Sequence, residues 1–101
     1  MAQLQGKTAW VTGAGTGIGE AAAIALAAEG AEVVLTGRRR APLESVAARI
    51  VAAGGRAHVM PADLMVPAQV QGVADYIKAN FAKLDIVIAN AGLNLGEREW
   101  G

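Results

Sequence analysis

The chain has 101 residues, room for one domain or less, and 53% of them are hydrophobic, which fills a packed core and excludes a disordered chain. Nine basic and nine acidic residues balance to a net charge of zero, so nothing marks nucleic acid or an acidic membrane surface as a partner. The absence of cysteine removes disulfides, thiolate metal sites and thiolate nucleophiles.

At the amino terminus, MAQLQGK lacks the apolar stretch of a secretory signal. TAWVT (8–12) reads as a short buried strand that runs into TGAGTGIG, which places four glycines in eight positions. Alanines and leucine from Ile18 to Glu29 predict a helix, with Gly30 suited to the residue just past its end. Its apolar run, residues 21–28, is far too short to cross a bilayer, so a cytoplasmic protein is expected. EVVLT (32–36), rich in β-branched residues, predicts a second strand.

Pro42 fits the first turn of a second helix, whose Leu43, Val46, Ala47, Ile50 and Val51 recur at helical spacing and predict one buried face. Gly54 and Gly55 end it, and AHVMPA (57–62) is a third strand weakened at its far end by Pro61. Pro67 opens a third helix in which Val70, Val73, Ala74, Ile77 and Phe81 share a face, and Lys83 would complement its C-terminal dipole. DIVIAN (85–90) is the fourth strand.

The order βαβαβαβ calls for parallel strands joined by right-handed crossovers, and uninterrupted apolar strands call for helices on both faces. The expected fold is α/β, part of a doubly wound parallel sheet with strand order 3-2-1-4. Ligands of such sheets bind at the carboxyl ends of the strands, beside the switch point between strands 1 and 4, where the glycine stretch lies.

A strand, a glycine turn and a helix together offer free backbone N–H groups and the positive end of a helix dipole, which suits an anion. A P-loop would need lysine at position 20, where Glu20 stands. The GxGxxG spacing begun at Gly13 would need a glycine at 18, where Ile18 stands. What fits is Gly13-x-x-x-Gly17-x-Gly19, with Gly15 extra. A tight turn alone would also select glycines, but the strand before, the helix after and the switch point favour a ligand.

TGxxxGIG near the amino terminus, combined with Asn90-Ala91-Gly92 after the fourth strand and ADL at 62–64, closely resembles the short-chain dehydrogenase/reductase family, over Gly6 to about Leu93. Ala89 departs from that family's N-N-A-G pattern. The resemblance implies the cofactor-binding half of an incomplete Rossmann-type domain over residues 1–101, with a nicotinamide dinucleotide as cofactor. It further implies that Gly13, Thr16, Gly17, Ile18 and Gly19 surround the pyrophosphate and part of the nicotinamide half. Asp63 would hydrogen-bond the adenine amino group, and the Leu64 backbone a ring nitrogen. Asn90, Ala91 and Gly92 would line the ribose side and brace strand 4 against strand 1. Taken alone, Asp63 could instead cap a turn before Pro67, and Asn90 could satisfy backbone groups at a strand end.

NAD-preferring enzymes of this type carry an acidic residue at the end of the second strand to hold both ribose hydroxyls. Here Gly37 is followed by Arg38, Arg39 and Arg40. A guanidinium binds a 2′-phosphate that a carboxylate would repel, and an anion would offset three cations placed against a helix N-terminus. NADP is therefore favoured, with Arg38 as its determinant, although Thr16 in place of a second basic residue keeps NAD open.

The family's carbonyl chemistry needs a YxxxK pair and a serine. The sole tyrosine, Tyr76, is followed four residues on by Asn80, so it is read as a plain helix residue. His58 is read as a strand residue near the surface without catalytic or metal partners. No catalytic or metal residue is thus assigned, and the 101 residues are expected to be inactive alone. The complete enzyme would transfer hydride between the dinucleotide and a small alcohol or carbonyl substrate and would be a homo-oligomer. The alternative is a stand-alone, non-catalytic dinucleotide-binding module completed by a partner.

Overall fold

The structure, a computed structural model, describes residues 3–15 and 17–89. Four strands and three helices alternate along the chain: β1 Thr8–Thr12, α1 Gly17–Ala28, β2 Glu32–Thr36, α2 Arg40–Ala52, β3 Arg56–Val59, α3 Pro67–Asn80 and β4 Ile86–Ala89. The strands form one parallel sheet in the order β3-β2-β1-β4, as the pattern predicts.

Side-chain alternation along the strands divides the core. Ala9 and Val11 of β1 with Val33 and Leu35 of β2 face α1 and α2, where they meet Ala23, Ala27, Leu43, Val46 and Ile50. Val34 faces the other side with Ala62, Val73 and Ile77, flanked by Trp10, Tyr76 and Phe81. The sheet is therefore covered on both faces, thickly by α1 and α2 and more thinly by α3.

The helix ends follow the predicted glycines. After α1, Gly30 (φ 100°) donates to the Ala27 carbonyl and Ala31 to that of Leu26. After α2, Gly54 (φ 93°) and Gly55 donate to Val51 and Ile50 in the same way. Both are Schellman closures, which satisfy the last carbonyls and need a left-handed residue where each glycine stands. Pro67 occupies the first turn of α3, where its missing N–H costs nothing.

Three expectations are corrected. Val51 is 58% exposed rather than part of the buried face of α2. Eight residues beyond Leu43 it has rotated roughly 80° round a 3.6-residue helix, outside the stripe that reaches the sheet. Lys83 does not serve the α3 dipole: Phe81 caps that helix in an extended conformation, and Lys83 pairs with Asp85 at 3.5 Å, leaving Lys78 in the last turn. β3 ends at Val59 rather than at residue 62, although Met60 and Ala62 still donate to Leu35 and Gly37. Pro61, between these two donors on the edge strand, faces away from β2 and removes no bond to it.

Asp85 does not belong to β4 itself. Its carboxylate accepts from the Thr8 N–H (2.9 Å) while its own N–H donates to the Thr8 carbonyl (2.9 Å), which clamps the starts of β1 and β4. The Thr8 N–H, with help from Lys83 and Lys7, holds the Asp85 carboxyl below its ordinary value of 3.8 against a smaller opposing effect of burial. A lowered folded-state value means that stability is gained above the ordinary value and lost as pH falls through the folded one. Asp85→Asn is therefore expected to lower stability at neutral pH and to flatten its loss below about pH 4. Urea titrations of both proteins across pH 2–7 check this, and parallel pH profiles would refute it.

Candidate functional site

The carboxyl ends of the strands carry every described residue assigned to the site. Gly13, the first residue after β1, has φ 66°, a conformation only glycine adopts cheaply. Ala14 donates its N–H to the Thr36 carbonyl (3.1 Å), which fastens the glycine turn to the end of β2. Thr12 Oγ1 donates to the Ile88 carbonyl (3.3 Å) and ties the ends of β1 and β4 beside the switch point.

The glycines of the turn have separate reasons. A Cβ on Gly15 would stand 2.9 Å from the Pro42 Cβ, so this glycine lets the first turn of α2 close over the loop. That packing explains the glycine that the dinucleotide spacing leaves over. A Cβ on Gly17 would meet nothing within 4 Å among the described residues, so no contact among them accounts for the glycine at the head of α1. Ile18 beside it is 76% exposed, whereas Gly19 is buried against the core. Glu20, in the first turn of α1, is held sideways by an ion pair with Arg49 of α2.

The arginine turn lies at the end of the neighbouring strand. Arg39 is the residue before α2 and makes no side-chain cap, and Arg40 is engaged by Glu44 one turn on (3.2 Å). Arg38 and Arg39 are exposed, with no ion pair for either among the described residues. Gly37 is confined because a Cβ would come within 3.3 Å of Leu43 Cδ2. Thr36 is fully buried, and its Oγ1 accepts from Trp10 Nε1–H at 2.9 Å, an anchor that spacing alone does not reveal.

After β3 the half-buried Asp63 and Leu64 lead into α3. One Asp63 oxygen accepts from the Met65 N–H (2.9 Å), and the Asp63 N–H donates to Gln69 Oε1 (2.7 Å). The turn-capping role of Asp63 is thus real, and it leaves the second carboxylate oxygen to take another donor. Thr16, Asn90, Ala91 and Gly92 lie outside the described residues.

His58 lies on β3 near the surface, as expected, but it is tied to neighbours there. It is half-buried, with Nε2 2.5 Å from Glu32 Oε2 and Nδ1 3.3 Å from the Tyr76 hydroxyl, and the edge of Phe81 stands against its ring. The strand register, which pairs Val34 with His58 and Glu32 with Arg56, puts Glu32 and His58 on one face. Glu32 opens β2, so this cluster sits toward the amino end of the sheet, away from the glycine turn.

A parallel 3-2-1-4 sheet with a glycine turn feeding a helix beside its switch point is an α/β, Rossmann-like fold. The sequence model of the family described as short chain dehydrogenase matches residues 7–100. An uncharacterized oxidoreductase of Mycobacterium tuberculosis is 44% identical over 92 residues, 91% of this chain and 35% of its own length. An L-rhamnose 1-dehydrogenase (NAD(P)(+)) of a Sphingomonas species is 40% identical over 94 residues, 92% of this chain and 37% of its own.

Among solved structures, hydroxysteroid dehydrogenase from Escherichia coli superposes with a TM-score of 0.86 at 35% identity, covering 91% of this chain and 39% of that one. A metagenomic short-chain oxidoreductase in complex with NADP gives 0.86 at 41% identity, covering 89% and 41%. The chain belongs to the short-chain dehydrogenase/reductase family of oxidoreductases. It spans a little over a third of the length of the curated relatives it matches.

Proposed function

We propose that this chain is the nucleotide-binding part of a single Rossmann-type domain and that it binds NADP(H) in preference to NAD(H). The observation that carries this reading is the cradle at the head of α1. A glycine whose Cβ would meet none of the described residues stands at a helix N-terminus, one strand away from the exposed Arg38. The N-terminal N–H groups and dipole of α1 suit a pyrophosphate, and the Arg38 guanidinium suits a 2′-phosphate. Gly13, Thr16, Gly17, Ile18 and Gly19 would surround the pyrophosphate side, Asp63 and Leu64 the adenine, and Asn90, Ala91 and Gly92 the ribose. The dinucleotide supplies or takes a hydride; the protein binds and orients it. A relative whose name includes NAD(P)(+) and a solved neighbour holding NADP support a nicotinamide cofactor.

The complete enzyme would act on a small alcohol or carbonyl, as a cytoplasmic homo-oligomer by the same family analogy. The 101 residues alone would not turn it over. Tyr76 has Asn80 rather than lysine four residues on, and its hydroxyl is committed to His58 at the far end of the sheet. Titration of the folded chain with NADPH and NADH should show tighter binding of the former, and a panel of alcohols and carbonyls should show no turnover. Failure to bind either dinucleotide would refute the cofactor reading. A rate that disappears in Tyr76→Phe would refute the inactivity.

A further inference from the structure

We propose that Tyr76 and His58 are positioning residues for the adenine side of this site: by tying α3 to β3 they fix the segment 60–66, which carries Asp63. The inference rests on the nucleotide reading above and adds two residues that lie far from the glycine turn.

The segment is suspended from two supports. Its strand end is fixed to the sheet through Met60 N–H to Leu35 and Ala62 N–H to Gly37, both 2.9 Å. Its other end belongs to α3. The Asp63 N–H is held by Gln69 in the first turn of that helix, and the Val66 N–H donates to the Asp63 carbonyl (2.9 Å). Wherever α3 sits on the sheet, Asp63 follows.

Apolar packing sets that position in part, since Ala62 is buried with Val34, Val73 and Ile77 and Met60 packs against them, but it is thin. α3 buries only Val73 and Ile77, and an open cavity of about 380 Å³ runs beside it, lined by Trp10, Ile77, Phe81 and Leu84 among others. Apolar contact is non-directional, so it resists separation better than sliding. The polar chain from β2 through β3 to α3 supplies direction. Glu32, also 3.7 Å from the exposed Arg56, accepts from His58 and so requires the proton on Nε2. In the neutral ring Nδ1 is then an acceptor, to which the Tyr76 hydroxyl donates. The carboxylate on β2 thereby selects the histidine tautomer that holds the helix.

The test uses the full 101-residue chain and Tyr76→Phe, compared by amide hydrogen exchange and by titration with 2′,5′-ADP, the adenosine half of NADP. In the variant, exchange at Asp63, Met65 and Val66 should rise and 2′,5′-ADP should bind more weakly, each by about 3- to 10-fold, the range for one lost neutral hydrogen bond. Exchange at Ala14 in the glycine turn should stay unchanged. Glu32→Gln keeps a carbonyl acceptor for Nε2–H and should stay within about twofold of the parent in both readouts. Equal acceleration at Ala14 and Asp63 would mean a merely structural role and would overturn the inference. So would unchanged 2′,5′-ADP affinity in a variant whose 60–66 amides have loosened. A parent chain that binds no 2′,5′-ADP while its 60–66 amides respond as expected would instead refute the nucleotide reading, and the adenine role with it.

Discussion

Gly17→Val is expected to abolish dinucleotide binding while leaving the fold in place. The two halves of that expectation have separate grounds. Gly17 is not among the glycines with positive φ, and a Cβ there meets nothing within 4 Å among the described residues. A β-branched residue also costs a helix less than glycine does. Among the described residues the variant therefore loses no packing and meets no clash. A pyrophosphate seated on the first N–H groups of α1 would occupy the space that the valine methyls enter, because close backbone approach is the purpose of such glycines. Circular dichroism should show unchanged helix content, and titration with NADPH should show no saturable binding. A folded variant that binds NADPH like its parent would reduce the glycine stretch to a tight turn.

Arg38→Ala should separate the two cofactors. Losing charge-assisted hydrogen bonds to a 2′-phosphate is expected to weaken NADPH by roughly 1.5–3 kcal/mol, or about 10- to 150-fold. NADH, with a hydroxyl at that position, should change much less. Arg38 suits this role better than Arg40, whose guanidinium already has Glu44 as a partner. The exposed Arg38 shows no ion pair among the described residues, so its removal should leave stability nearly unchanged. Isothermal titration of both cofactors against both proteins decides the matter. Equal losses would assign Arg38 to the structure of the turn.

Strand order was legible because it follows from local pattern and the handedness of crossovers, which need no knowledge of partners. The Schellman glycines after α1 and α2 were legible for the same reason, each being a requirement of one backbone position. What pattern alone did not show were contacts between groups remote in sequence. Glu32 and His58 are 26 residues apart, and only the β2–β3 register shows that they share a face. Gly15 looked superfluous until α2 brought Pro42 over it. Asp63 was readable as a turn residue or as an adenine partner, and its hydrogen bonds establish the first while leaving an oxygen for the second.

The last carbonyls of β2 and its following residue serve two different loops. Leu35 accepts from Met60, Thr36 from Ala14 and Gly37 from Ala62. The glycine turn and the adenine-side segment therefore hang from one three-residue beam, which leads directly into the arginine turn. A ligand that orders this beam stiffens the anchorage of both loops and the start of the arginine turn, so the affinities of the pyrophosphate, 2′-phosphate and adenine ends would be coupled. Dissecting the cofactor into fragments should accordingly lose more binding than the sum of the parts, with the excess residing in the end of β2 rather than in any contact to the ligand.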